Sequence, residues 1–233
     1  MFSHWLTSRR ISFSNGVDLS VRGPFACAKA GLFLSVLVTF LASMVNTLPA
    51  QTAAFGIDLH GRPITRLAPA GTQAVVFFFL ATDCPISNRY VPEIQRLEKE
   101  FAGKPVVFWI VYPNATDTDA IIQNHQASYG LAGATLVHPR TEFMSLAHPS
   151  VTPESVVLVP DKAGAEGFRA AYVGRIDDRY VAFGKERPQA MRHDLEAAIS
   201  AVLSHQAVLP PGGPPVGCGI VSEAALHAGV GQP

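Results

Sequence analysis

Residues 73–87 decide how this chain is read: Gln73-Ala-Val-Val-Phe-Phe-Phe-Leu80 runs through Ala81-Thr82-Asp83 into Cys84-Pro85-Ile86-Ser87. The first eight residues, dense in Val and Phe, have the length and character of a strand buried on both faces. A helical pattern begins at Pro85, which suits a first helical position because its missing N–H would have no partner there. Cys84 therefore falls between strand end and helix start. Free N–H groups and the positive end of the helix dipole stabilise a thiolate at that place, so such a thiol ionises below the roughly 8.5 of free cysteine. On this reading Cys84 is a nucleophile; on the competing one it is a small buried core residue.

Working outward, Ala54–His60 and Pro63–Leu67, split by Gly61-Arg62, suggest a short hairpin ahead of the strand. A helix is expected from about Pro85 to Phe101, with Ile86, Tyr90, Ile94 and Leu97 on one face and Pro92 interrupting it. Val106–Val111 is a second buried strand, and Asp117–Tyr129 reads as a helix closed by Gly130. A weak strand at 134–137, a short helix at 142–147, strands Ser155–Val159 and Phe168–Ile176, and a last helix from about Gln189 to Leu203 complete the order. Alternating helices and buried strands imply a three-layer α/β domain with a mixed sheet.

The 233 residues are 48% hydrophobic and 15% charged, a composition that supports one packed domain with appendages. Residues 1–50 hold four basic residues (Arg9, Arg10, Arg22, Lys29) and one acid (Asp18), which leaves 14 basic residues against 17 acidic downstream. Nucleic-acid binding has no electrostatic footprint in that balance. The uncharged run Ala30–Val45, followed by Asn46-Thr-Leu-Pro-Ala50-Gln51, has the layout of a secretory signal peptide with Ala50 or Ala53 as last residue removed. Counted back through Gly23–Ala28, the apolar stretch approaches the ~18 residues of a membrane span. The leader, residues 1–50, is thus a signal peptide or an N-terminal membrane anchor, and the chain is expected to be exported, in the periplasm or facing it.

Cys27 lies in that leader, so a mature chain retains Cys84 and Cys218, 134 positions apart in a compartment where disulfides form. The domain is read as residues 54–205. Residues 206–233 form a Pro/Gly-rich tail in which Leu209-Pro-Pro-Gly-Gly-Pro-Pro-Val216 is an extended or flexible linker leading to Gly217-Cys218-Gly219. The plain alternative for the tail is a disordered terminus that happens to carry a thiol.

The order of elements, a strand ending in Cys84, Val151-Thr152-Pro153 ahead of the next buried strand, and Pro92 eight residues after the cysteine together resemble the thioredoxin-like fold. Asp58-Leu-His-Gly-Arg-Pro-Ile-Thr-Arg-Leu67 is similar to the redoxin branch, which includes the alkyl-hydroperoxide-reductase and thiol-specific-antioxidant proteins and the exported thiol:disulfide interchange proteins. Asp83–Tyr90, Gly174–Tyr180 and Val216-Gly-Cys218 resemble a subgroup of exported bacterial redoxin-domain proteins. The resemblance implies a three-layer α/β/α sandwich with a mixed central sheet. It implies a cis-proline loop at Thr152-Pro153 facing Cys84, protein thiols or disulfides as partners, and no organic cofactor.

The chain also departs from its relatives. Ser87 stands where a dithiol oxidoreductase carries its second cysteine, so Cys84 lacks a near neighbour to resolve a mixed disulfide. Phe77 and Ala81 stand where a peroxiredoxin carries Pro and Thr or Ser, and Asn88 stands where copper-delivery relatives carry a second cysteine. His125 and His138 are read as hydrogen-bonded or solvated histidines ahead of metal ligands. Arg175, Asp177, Asp178 and Arg179 are read as a local ion-pair turn ahead of a substrate clamp, and Glu154 as an exposed acid. Asp83 is either a like charge that raises the Cys84 pKa or a helix-start acceptor. The favoured function is an exported thiol-disulfide oxidoreductase with Cys84 as redox nucleophile and Cys218 resolving, and with Thr152 and Pro153 aligning an extended substrate. The alternatives are a non-enzymatic partner- or copper-binding module and a thiol peroxidase passing through a sulfenic acid.

Overall fold

A computed structural model describes residues 55–222 and 226; the expected leader and its Cys27 lie outside the described residues. In chain order the elements are β1 (Gly56–Ile57), β2 (Pro63–Ile64), β3 (Ala74–Phe79), α1 (Pro85–Glu100), β4 (Val106–Tyr112), α2 (Asp119–Tyr129), β5 (Ala134–Val137), α3 (Thr141–Ala147), β6 (Val151–Thr152), β7 (Glu154–Pro160), β8 (Phe168–Gly174), β9 (Tyr180–Ala182), β10 (Lys185–Glu186), α4 (Asp194–Leu203) and β11 (Cys218–Gly219). Among the described residues the main sheet has the order β2-β1-β5-β4-β3-β7-β8. β3, β4 and β5 run parallel, while β7 lies antiparallel to β3, and β8 antiparallel to β7.

β3 is buried along its whole length because both faces are covered. Ala74, Val76 and Phe78 join the core beneath α1 (Tyr90, Ile94, Leu97), α4 (Leu195, Ala198, Ile199) and Ile122 of α2. Val75, Phe77 and Phe79 join the opposite core with Phe143 of α3. The Phe143 ring centroid lies 5.0 Å from that of Phe77 and 6.1 Å from that of Phe79. Burial of each strand phenylalanine contributes about 1.5–3 kcal/mol. The result is the thioredoxin-like α/β/α sandwich with a mixed central sheet that the sequence predicts.

Local chemistry sets the helix ends. Cys84 is the N-cap of α1, with extended φ −80° and ψ 111°, and Pro85 opens the helix. Thr118 caps α2 through its side chain, which accepts from the Ile121 N–H, and Gly130 closes α2 in the left-handed region at φ 63°. The last helix is shorter than expected, beginning at Asp194 and not near Gln189. The Asp178 carboxylate takes the N–H groups of Met191 and Arg192, at 2.6 Å and 3.0 Å, and so holds these residues out of a helical path.

The tail is fastened to the domain. The Gly212 N–H donates to Asp194 at 3.1 Å, and Val208 and Val216 pack against the core. Beyond them β11 pairs antiparallel with β6, and the Val221 N–H donates to Asn114 Oδ1 at 2.9 Å. Among the described residues no helix is long and apolar enough to cross a membrane.

Candidate active site

The end of β3 and the start of α1 place Cys84 where the sequence puts it, fully buried at the helix N-terminus. The Thr152–Pro153 peptide bond is cis, and its loop faces the cysteine: the Cys84 thiol donates to the Thr152 carbonyl oxygen at 3.1 Å. Across the same edge the tail brings in Cys218, whose Sγ lies 2.8 Å from that of Cys84, both cysteines being free thiols. Register explains the meeting. Cys218 sits opposite Thr152 and Gly219 opposite Val151, and the Thr152 hydroxyl donates to the Cys218 carbonyl at 3.4 Å. All four candidate site residues, Cys84, Cys218, Thr152 and Pro153, are therefore brought to one place.

The two thiols are electrostatically unequal. Burial pushes the Cys84 thiol up, but hydrogen bonds from the Cys218 thiol and from the Ser87 N–H and hydroxyl outweigh burial and hold it below its usual range. Cys218 is pushed up to about 12, first by burial, then by its hydrogen bond to Cys84 and by the charges of Cys84 and Asp83. Of the pair, Cys84 is therefore the thiol that ionises first and Cys218 the one that keeps its proton longer.

A polar network fixes the turn before Cys84. Thr82 donates its hydroxyl to Asp117 Oδ1 and its N–H to Asp117 Oδ2. Burial raises the Asp117 pKa against these bonds. Asn88 donates to the Thr82 carbonyl at 3.3 Å while its Oδ1 meets His125 Nε2 at 2.7 Å, and His125 Nδ1 meets the Tyr112 hydroxyl at 2.9 Å. On the other side Glu154 accepts from the Ser150 N–H (2.5 Å), the Ser150 hydroxyl (2.9 Å) and the Val151 N–H (3.3 Å), and so anchors the chain leading into Thr152.

Several sequence expectations change here. Glu154 is a buried anchor and not an exposed acid, because three donors from the preceding turn converge on it. In the stretch from Arg175 to Arg179 the local bond runs from the Arg179 N–H to Asp177 Oδ1 at 2.8 Å, and the other bonds of the cluster reach further along the chain. Arg175 pairs with Asp194 at 2.6 Å, Asp177 accepts from the Tyr90 hydroxyl at 2.5 Å, and Asp178 holds the segment before α4, so the cluster joins β8, α1 and α4. Asp83 is exposed and adds to burial in raising Cys218 and Asp117. His125 is hydrogen-bonded within the domain, as read, and the exposed His138 lies 3.4 Å from Asp119. Among the described residues the three-ligand group that could hold a metal ion is Glu93, His193 and Glu196, which includes neither cysteine. The role of Ser87 escaped the sequence reading, although its signal was present. The third residue after a helix N-cap has an N–H without an intrahelical partner, and here that N–H serves the sulfur.

No protein-family model matches the chain, and no curated protein matches it in sequence. Among solved structures it is similar to a hypothetical protein from Sinorhizobium meliloti, at 20% identity and TM-score 0.59, covering 74% of this chain and 93% of that one. It is also similar to an uncharacterized conserved protein from Geobacillus kaustophilus, at 18% identity and TM-score 0.56, covering 74% and 90%. A putative thiol-disulfide oxidoreductase from Bacteroides vulgatus superposes less closely, at 18% identity and TM-score 0.40, covering 54% and 79%. The first two likenesses are likenesses of fold.

Proposed function

We propose that the protein is an exported thiol-disulfide oxidoreductase that works through Cys84 and Cys218. The observation that carries this reading is the 2.8 Å approach of the two sulfurs, from positions 134 residues apart, beside the Thr152 edge. The Cys84 thiolate attacks one sulfur of a partner disulfide. The partner S–S bond breaks, its electron pair leaves on the second sulfur, which takes a proton, and Cys84 is left in a mixed disulfide. Cys218 then attacks the Cys84 sulfur, the mixed disulfide breaks, and the partner leaves fully reduced. The protein is left with a Cys84–Cys218 disulfide, and a thiol reductant returns it to the dithiol. Run backward, the same steps oxidise a partner dithiol.

The asymmetry of the pair gives these steps an order. Two of the influences that raise Cys218, the hydrogen bond to Cys84 and the charge on it, end once the Cys84 sulfur enters a disulfide. Cys218 therefore gains nucleophilicity when a mixed disulfide forms and needs resolving. Ser87 supplies hydrogen bonds to the thiolate from the position where a neighbouring cysteine would resolve, which leaves resolution to the tail.

The test is single-turnover reduction of a disulfide-linked peptide by full chain that has been reduced beforehand and freed of the reductant. Cys84→Ser should abolish turnover, and Cys218→Ser should accumulate a mixed disulfide on Cys84, visible by non-reducing mass spectrometry. Undiminished turnover by Cys84→Ser sinks the proposal. Export is tested separately, by mass of the mature chain and its cell fraction.

A further inference from the structure

The edge that a partner would use is occupied by the chain itself. β11 runs antiparallel along β6, with Cys218 opposite Thr152. At Gly217 the approach is so close that a Cβ would stand 2.2 Å from the Thr152 carbonyl oxygen, 2.6 Å from its carbonyl carbon and 3.0 Å from the Pro153 nitrogen. All three are backbone atoms, and the segment they belong to is held by Glu154, so no side-chain rotation relieves the contact. One residue after the cysteine the situation reverses. A Cβ on Gly219 meets nothing within 4 Å. The edge thus discriminates sharply before the cysteine and not after it.

A partner sulfur has to reach Cys84 by the same route. Cys84 is fully buried, with the Thr152 carbonyl, Ser87 and Cys218 around its sulfur. Cys218 stands where an incoming sulfur would stand. We infer that the groove selects glycine immediately before the reacting cysteine, in a partner as in the tail, so that an extended Gly-Cys segment of the partner and residues 217–219 of this chain take the same place in turn. The inference rests on the thiol-exchange reading and adds the class of partner to it. It also assigns Gly217-Cys218 two tasks, resolving thiol and resident occupant of the partner site.

The experiment uses full chain with Cys218→Ser, and acetylated, amidated peptides of sequence Pro-Val-Gly-Cys-Gly-Ile whose cysteine carries thionitrobenzoate through a disulfide. Attack by Cys84 forms the Cys84–peptide S–S bond and breaks the peptide–thionitrobenzoate bond. The electron pair leaves with the coloured thionitrobenzoate anion, so the step needs no other oxidant or reductant. Sister peptides place alanine before or after the cysteine. Alanine before it should slow attack about tenfold, the size of one or two lost backbone hydrogen bonds, and alanine after it should change the rate by less than about twofold. A second variant, Gly217→Ala with Cys218→Ser, should disfavour docking of the tail, react faster with every peptide, and keep the same order among them. Equal rates for the Gly-Cys and Ala-Cys peptides, with the adduct found on Cys84, overturn the selection and leave thiol exchange standing. No adduct on Cys84 with any peptide, in either variant, overturns thiol exchange and this inference with it.

Discussion

At the scale of single residues, the eased ionisation of Cys84 is the product of placement. Its sulfur is buried, which favours the neutral thiol, yet hydrogen bonds from Cys218 and Ser87 reverse the balance. Because the pKa is lowered, the thiolate persists below the pH at which free cysteine is protonated, and reactivity is lost only as pH falls through the lowered value. In the reduced protein the pH profile for alkylation of Cys84 should therefore have its midpoint below that of a model thiol. Cys218 should react only on the alkaline side, since it is pushed up to about 12. Cys218→Ala removes a donor to the thiolate and should move the Cys84 midpoint upward. An unchanged profile in that variant would mean that the hydrogen bond has no influence. The position of Cys84 at a helix start was legible in the sequence. Its Cys218 donor was not, because that donor comes from a strand pairing made 134 residues away.

At the scale of elements, β3 and the β6 edge do different work. β3 carries stability: Phe77 is packed against Phe143 within an all-apolar cluster, and Phe77→Ala should cost about 3–5 kcal/mol, measured by urea denaturation with an unchanged m-value. The β6 edge carries geometry. Glu154→Ala leaves the Ser150 and Val151 donors without their carboxylate, with an expected loss on the order of 3 kcal/mol. The same change should slow formation of the Cys84–Cys218 disulfide, since Thr152 is the register partner of Cys218. Disulfide formation as fast as wild type in folded Glu154→Ala protein would separate the anchor from the site. β3, α1, β4 and α2 could be read from the chain because they are long enough to show period and caps. β6 and β11 have two residues each, too few for any pattern, and only their pairing makes them strands.

At the scale of the whole molecule, hydrogen bonds on either side of Cys218, Gly212 on Asp194 and Val221 on Asn114, add to the packing and strand pairing that hold the tail. Together these contacts keep the thiol at high effective concentration beside Cys84. Asn114→Ala removes one hydrogen bond of about 1 kcal/mol and should weaken the Cys84–Cys218 disulfide roughly fivefold against glutathione. A redox titration equal to wild type would show that the remaining contacts of the tail suffice without the Asn114 bond. By itself the sequence determined the three-layer α/β order and the strand-to-helix placement of Cys84, because periodicity and capping act over a few neighbouring residues, while the resemblance to the thioredoxin-like fold supplied the candidacy of Thr152-Pro153. The sequence also showed that a second thiol follows a Pro/Gly-rich run. Only the tertiary structure decided that this run is fastened, that Glu154 is buried, and that Cys218 meets Cys84 in the groove opposite Thr152. Those outcomes depend on contacts between segments far apart in the chain, and hydrogen bonding across such separations leaves no local pattern in either partner.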